Sequence, residues 1–94
     1  MLHNVTTDGA YRNGLSVISA IDLLVNECAF LNTGHFPGLA STGGTAPRAG
    51  VDLEPDHPSN SLQNVTLRRC VAAGNTDDAF NLSVNYLTTP VSVR

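Results

Sequence analysis

The segment "DLLVNECAF" (22–30) lies over "NVTLRRCVA" (64–72), with Asp22 on Asn64, Val25 on Leu67 and Cys28 on Cys70. "NVTTDGAYR" (4–12) is expected to take the same frame, and "PVSVR" (90–94) to begin it again. A second unit falls between these copies. "GLSVIS" (14–19), "GVDLEP" (50–55) and "AFNLSV" (79–84) each open on a small residue and continue with alternating apolar positions. Such alternation, in short runs bounded by Gly, Asn, Asp and Pro, is a strand signal, and a helical period is nearly absent. None of these segments is long enough to bury its apolar face alone. A chain that repeats them must stack one copy on the next.

The spacing between copies varies, and the longest interval carries "NTGHFPGLASTGGTAPRA" (32–49). Constant strands joined by polar, glycine-rich corners of variable length predict an all-β parallel solenoid. We expect one domain, 1–94, of about three rungs with a long loop insertion at 32–49. Strand side chains alternate between faces. The inward set is therefore Leu15 and Val17, Val51 and Leu53, Phe80 and Leu82, together with Val5, Thr7, Leu23, Val25, Val65, Leu67, Val91 and Val93. Cys28 and Cys70 fall on one position of adjacent rungs, as a buried thiol pair rather than a disulfide.

Composition agrees with that core. Hydrophobic residues make up 41% of the chain but aromatics only 5%, with no Trp, so the interior is built from Val, Leu, Ile and Ala. Only 14% of residues are charged, and every basic residue is Arg. A net charge of -3 excludes the clustered positive footprint of a nucleic-acid binder. No apolar run reaches the ~18–20 residues of a membrane helix, and the N-terminus lacks the pattern of a secretory signal. The sequons at Asn4, Asn64 and Asn81 are what chance supplies in an Asn-rich chain.

"AYRNGLSVIS", "GTAPRAGVDLEP" and "NVTLRRCVAAGN" resemble the repeat regions of right-handed parallel β-helices of the pectate-lyase-like superfamily. The resemblance covers nearly the whole chain, and it implies a right-handed β-helix and an association with carbohydrate polymers. Members include lyases, glycosidases, epimerases and adhesive spikes, and they are usually extracellular or at the cell surface. Known members have many more rungs, so this chain is expected to be a minimal or partial one.

The acidic residues concentrate in "GVDLEPD". Asp52 and Glu54 are expected to face outward because Val51 and Leu53 face inward, and this alone accounts for their spacing. On that reading Asp52→Asn leaves the fold intact. Two outward columns follow, Ser16–Asp52–Asn81 and Ile18–Glu54–Ser83. The Asp52 and Glu54 backbones lie roughly 6.5–7 Å apart along the strand, a spacing compatible with a carboxylate pair for glycoside hydrolysis. Asp52, Glu54 and Asp56 together offer hard oxygen ligands for Ca²⁺. The lyases implied by the resemblance use Ca²⁺ with an Arg base, which makes Arg48 or Arg12 the candidate.

Arg12, Arg48 and Asp77 precede the three copies of the second unit. Arg48 is expected to pair with Asp77, and Arg12 to lie near the Asp52 column. Ser16, Asn81, Arg12, Tyr11 and Phe36 are candidate substrate contacts, the two aromatics by stacking on a sugar ring. The 32–49 insertion is expected to wall this face, since binding residues gather where loops overhang a rigid scaffold. His57 reads as a turn residue, while His3 and His35 have no ligand partner at a recognisable spacing. "STGGTAP" (41–47) lacks the Lys and the helix of a phosphate loop.

Two functions fit: a polysaccharide lyase or glycoside hydrolase, and a non-catalytic glycan-binding or structural module. Open rung ends also predict a homo-oligomer formed by end stacking or strand exchange.

Overall fold

The computed structural model describes residues 1–35 and 44–94, and all of its regular elements are strands. They are β1 (Leu2–His3), β2 (Thr6–Asp8), β3 (Leu15–Val17), β4 (Ala20–Ile21), β5 (Leu24–Asn26), β6 (Ala29–Leu31), β7 (Val51–Leu53), β8 (Leu62–Gln63), β9 (Thr66–Arg68), β10 (Val71–Ala73) and β11 (Phe80–Leu82). Each strand pairs in parallel with the one four places later. This gives three-stranded sheets β1-β5-β9, β2-β6-β10 and β3-β7-β11 and a two-stranded sheet β4-β8. Parallel sheets stacked in register with a four-strand recurrence are consistent with a β-solenoid.

Register follows the apolar alternation. Leu15, Val51 and Phe80 share one position of the third sheet, and Val17, Leu53 and Leu82 share another. Val25, Phe30, Val51, Leu62 and Val65 are fully buried in one apolar cluster, against which Leu2, Leu15, Leu67 and Ala72 pack. Cys28 is buried and Cys70 half-buried, both as free thiols. Phe80 and Leu82 have inward parity but are each 50% exposed, because β11 is an edge strand with no neighbour beyond it. They line an apolar groove of about 290 Å³ together with Leu67 and Val93. The expectation of self-association rests on this open edge.

Positive-φ corners separate the strands at aligned positions. Asn4, Glu27 and Arg69 occupy one corner, with φ of 56°, 55° and 55°. Gly9, Asn32 and Gly74 occupy a second, and Asp22 and Asn64 a third. A single left-handed residue redirects the chain without consuming a loop, at a cost that only Gly avoids and Asn or Asp lessen. Side chains at these corners link neighbouring repeats. The Asn64 Nδ2 donates to Asp22 Oδ1 at 2.9 Å, the Asn32 Nδ2 to Asp8 Oδ1 at 2.9 Å, and Arg69 forms an exposed ion pair with Glu27 at 3.1 Å. Gly74 is doubly constrained, since its φ is 68° and a Cβ there would collide with the Asn32 Oδ1. Gly50 is small for another reason: its Cβ would sit 2.7 Å from the Ala79 carbonyl oxygen.

Two registers differ from expectation. Leu2 pairs with Val25 and Thr6 with Ala29, so "NVTTDGAYR" does not take the frame of "DLLVNECAF". Val5 consequently lies on the Cys28 position at an open edge and is 39% exposed. Thr7 sits opposite the buried Phe30, and its hydroxyl is buried without a partner. At the other end Val93 bridges Val65 rather than Leu67. That slip of two positions preserves side-chain parity, and Val91 is left 37% exposed.

Burial separates three substitutions. Val51→Ala should cost about 2 kcal/mol, through lost transfer energy and a cavity in a fully buried column. Gly74→Ala should cost about 1–2 kcal/mol from backbone strain alone, and more from displacing Asn32. Val71→Ala, at an exposed edge position, should stay within about 0.5 kcal/mol. Urea unfolding midpoints of the three variants would read this order directly.

Candidate functional site

The outward side of β7 opens onto a cleft of about 470 Å³ lined by Arg12, Ser16, Asp52, Glu54, Asp56 and Tyr86. The sheet builds its floor. Asp52 sits between Ser16 and Asn81 in strict register, and the hydrogen bond from the Glu54 N–H to the Val17 carbonyl continues the pairing past β7. Pro55, buried, ends the strand and turns the chain toward Asp56.

Asp52 is only 3% exposed, so it is not the solvated residue that alternation alone implies. Its strand is central, with Ser16 on one side and Asn81 on the other, and Asn13 lies against it. Both carboxylate oxygens are engaged: the Asn81 Nδ2 donates to Oδ1 at 2.8 Å and the Asn13 Nδ2 to Oδ2 at 3.2 Å. A buried charge survives only with such partners. Asp52→Asn would set an amide N–H against one of these two donors, a cost that outward orientation alone does not include.

Asn13 does more than hold the acid. Its Nδ2 also reaches the Ser16 hydroxyl at 2.8 Å, and its Oδ1 accepts the Ala49 N–H at 3.1 Å. One corner side chain thus ties the residue before the Gly50 turn to the cleft floor.

Glu54 carries the perturbed charge. The negative Asp52 beside it pushes its carboxyl above the ordinary value of 4.5, and partial burial, a hydrogen bond with Asp52 and the charge of Asp56 act in the same direction. Arg12 opposes them. The net effect is a carboxyl that gives up its proton less readily than an isolated one.

The candidate residues divide cleanly. Arg12, Ser16, Asp52, Glu54 and Asp56 meet on the cleft, and Asn81 joins them through its bond to Asp52. Arg48 does not. Its Nε is paired with Asp77 Oδ2 at 3.1 Å, the partner expected of it, and it lies off the cleft lining. Tyr11 is 62% exposed and also off the lining. Phe36 lies outside the described residues. The described parts of the 32–49 insertion do not wall the cleft; Tyr86, from the segment after β11, does.

Among the described residues no group of three or more His, Cys, Asp or Glu side chains forms a metal-holding cluster. Of the three acids expected to ligate Ca²⁺, Asp52 already has both oxygens engaged by asparagine amides.

Two cleft residues escaped the sequence reading, Asn13 and Tyr86. Each carried a signal: an Asn at a corner just ahead of a strand, and a Tyr in a chain with only 5% aromatics.

No protein-family model, curated protein or solved structure matches this chain.

The pH dependence of Glu54 has a defined sign. A carboxyl whose folded pKa lies above its unfolded value binds more protons in the folded state. The associated stability is present below 4.5 and is lost as pH rises through the raised value. Arg12, Asp52 and Asp56 are the charged groups facing it. The wild type should therefore lose stability relative to Glu54→Gln as pH rises from 4.5, in paired urea titrations across that range.

Proposed function

We propose that this chain is a short right-handed parallel β-helix of about three rungs that acts as a non-catalytic glycan-binding module, with the cleft beside β7 as its binding surface. Right-handedness follows the strong preference of parallel crossovers, and the fold type follows the resemblance in "GTAPRAGVDLEP" and "NVTLRRCVAAGN". Four features support sugar as the ligand class. The cleft is open and mixes polar with apolar lining, it carries carboxyl acceptors in Glu54 and Asp56, and it has a hydroxyl in Ser16. Tyr86, 58% exposed, offers a ring at its wall. Sugars are held by this combination of polar groups and an aromatic face.

The observation that carries the non-catalytic reading is the burial of Asp52. It is 3% exposed, and both of its oxygens accept from asparagine amides. A hydrolase needs two carboxyl groups free to act on either side of the glycosidic bond. Asp52, buried and held by two amides, is not placed to attack a sugar or to activate a water. A second reading, glycoside hydrolysis with Glu54 as the acid, draws on the raised pKa of Glu54 alone.

A glycan array followed by calorimetry tests the proposal. Wild-type protein should bind at least one oligosaccharide without releasing reducing ends during prolonged incubation. Tyr86→Ala should weaken that binding by about tenfold. Turnover that disappears in Glu54→Gln would replace this reading with the hydrolase one. An array with no bound sugar would sink both.

A further inference from the structure

We propose that the cleft selects uncharged, hydroxyl-rich sugar rings and rejects uronic acids. This rests on the glycan-binding reading above and adds the class of glycan. The resemblance by itself points the other way, toward acidic polysaccharides held by Arg and Ca²⁺. Hydrogen-bond bookkeeping within the cleft decides between them.

The charge on Asp52 is fixed by its partners. Asn13 and Asn81 both present N–H groups, one to each oxygen, and an amide N–H only donates. Asp52 therefore meets them as an acceptor on both oxygens, the pattern of an ionised carboxylate. Asp56, exposed beyond Pro55, adds a second negative charge at the rim.

Among the described residues Arg12 is the one cation on the lining, and it faces this acid group. Arg48, the other cation ahead of this unit, is held by Asp77. A bound uronate would bring a further carboxylate against Asp52 and Asp56, two acids against the single cation Arg12. Like charges at such range repel appreciably even at a protein surface.

A neutral ring meets no such barrier. Its hydroxyls can donate to Asp56 and Glu54 and accept from Arg12, while its apolar face lies on Tyr86. Ser16, bonded to the amide of Asn13, can serve in either role.

The test compares oligogalacturonate with its fully methyl-esterified form, which differ in charge while sharing a backbone, alongside neutral hexose and xylose oligosaccharides. Binding is measured by calorimetry at low and at physiological salt. The esterified or neutral members should bind about tenfold or more tightly than the acid form at low salt, with the gap narrowing as salt screens it. In the double variant Glu54→Gln/Asp56→Asn, with its fold checked by circular dichroism, uronate binding should rise toward that of the ester. Equal or tighter binding of the acid form by wild type would overturn this selectivity and leave the glycan-binding reading standing. If no neutral, esterified or acidic sugar binds, the glycan-binding reading fails and the selectivity falls with it.

Discussion

Everything in this molecule depends on the rule that a residue in one repeat must be acceptable directly above its counterpart in the next. Parallel strands about 4.8 Å apart place matching side chains in contact. Two interior columns obey this with apolar residues alone: Leu2, Val25 and Leu67 in one sheet, Leu15, Val51 and Phe80 in another. Backbone pairing and side-chain packing then select the same register, because a slip of one residue would turn each apolar column outward. A core with few aromatic side chains can be stable this way, since each short aliphatic side chain is covered above and below as well as laterally. Where that cover ends, at β11, the side chains keep their direction and lose their burial.

The same rule explains how much of the fold could be read directly. The third sheet was legible to the residue, because a small residue before each strand marks the close carbonyl approach seen at Gly50, and alternation does the rest. The frame of the first segment was not. Asn4, Asp22 and Asn64 look alike because all three sit at left-handed corners, but Asn4 belongs with Glu27 and Arg69 while Asp22 and Asn64 form a different corner. Matching residue types aligned two corners that the fold keeps apart. Glu27 and Arg69 gave no cue at all, since neither is a residue that φ > 0 favours. The fold imposes that geometry on them and recovers part of the cost through neighbouring backbone bonds. The Glu27 N–H, for instance, donates to the Arg68 carbonyl at 2.9 Å.

The site was half legible. Alternation correctly sent Asp52 and Glu54 to the outer face, and column alignment correctly set Ser16 and Asn81 beside Asp52. What alternation does not encode is depth. Whether an outward residue is wet depends on the length of its neighbours and on segments remote in sequence, here Asn13 and the Tyr86 segment. Arg48 shows the converse. It had the right residue type in the right unit, yet the column rule gave it to Asp77, so its charge is spent within the scaffold.

Set against the interior, the outer columns of this face stand apart. Inside, like stacks on like because packing requires it. Outside, Ser16, Asp52 and Asn81 are unlike, as are Ile18, Glu54 and Ser83, so stacking alone does not call for an acid at either position. A serine or threonine would satisfy the sheet and avoid burying a charge. Instead the chain buries Asp52, commits two asparagine amides to it and sets a second carboxyl close enough to be forced toward its protonated form. Local rules broken together at one place, with compensation built around them, single out this face as the candidate site. The apolar groove at the β11 edge breaks no such rule, because it is simply the column pattern left uncovered. That contrast, more than the presence of acids, is why the functional argument rests on the outer face of β7.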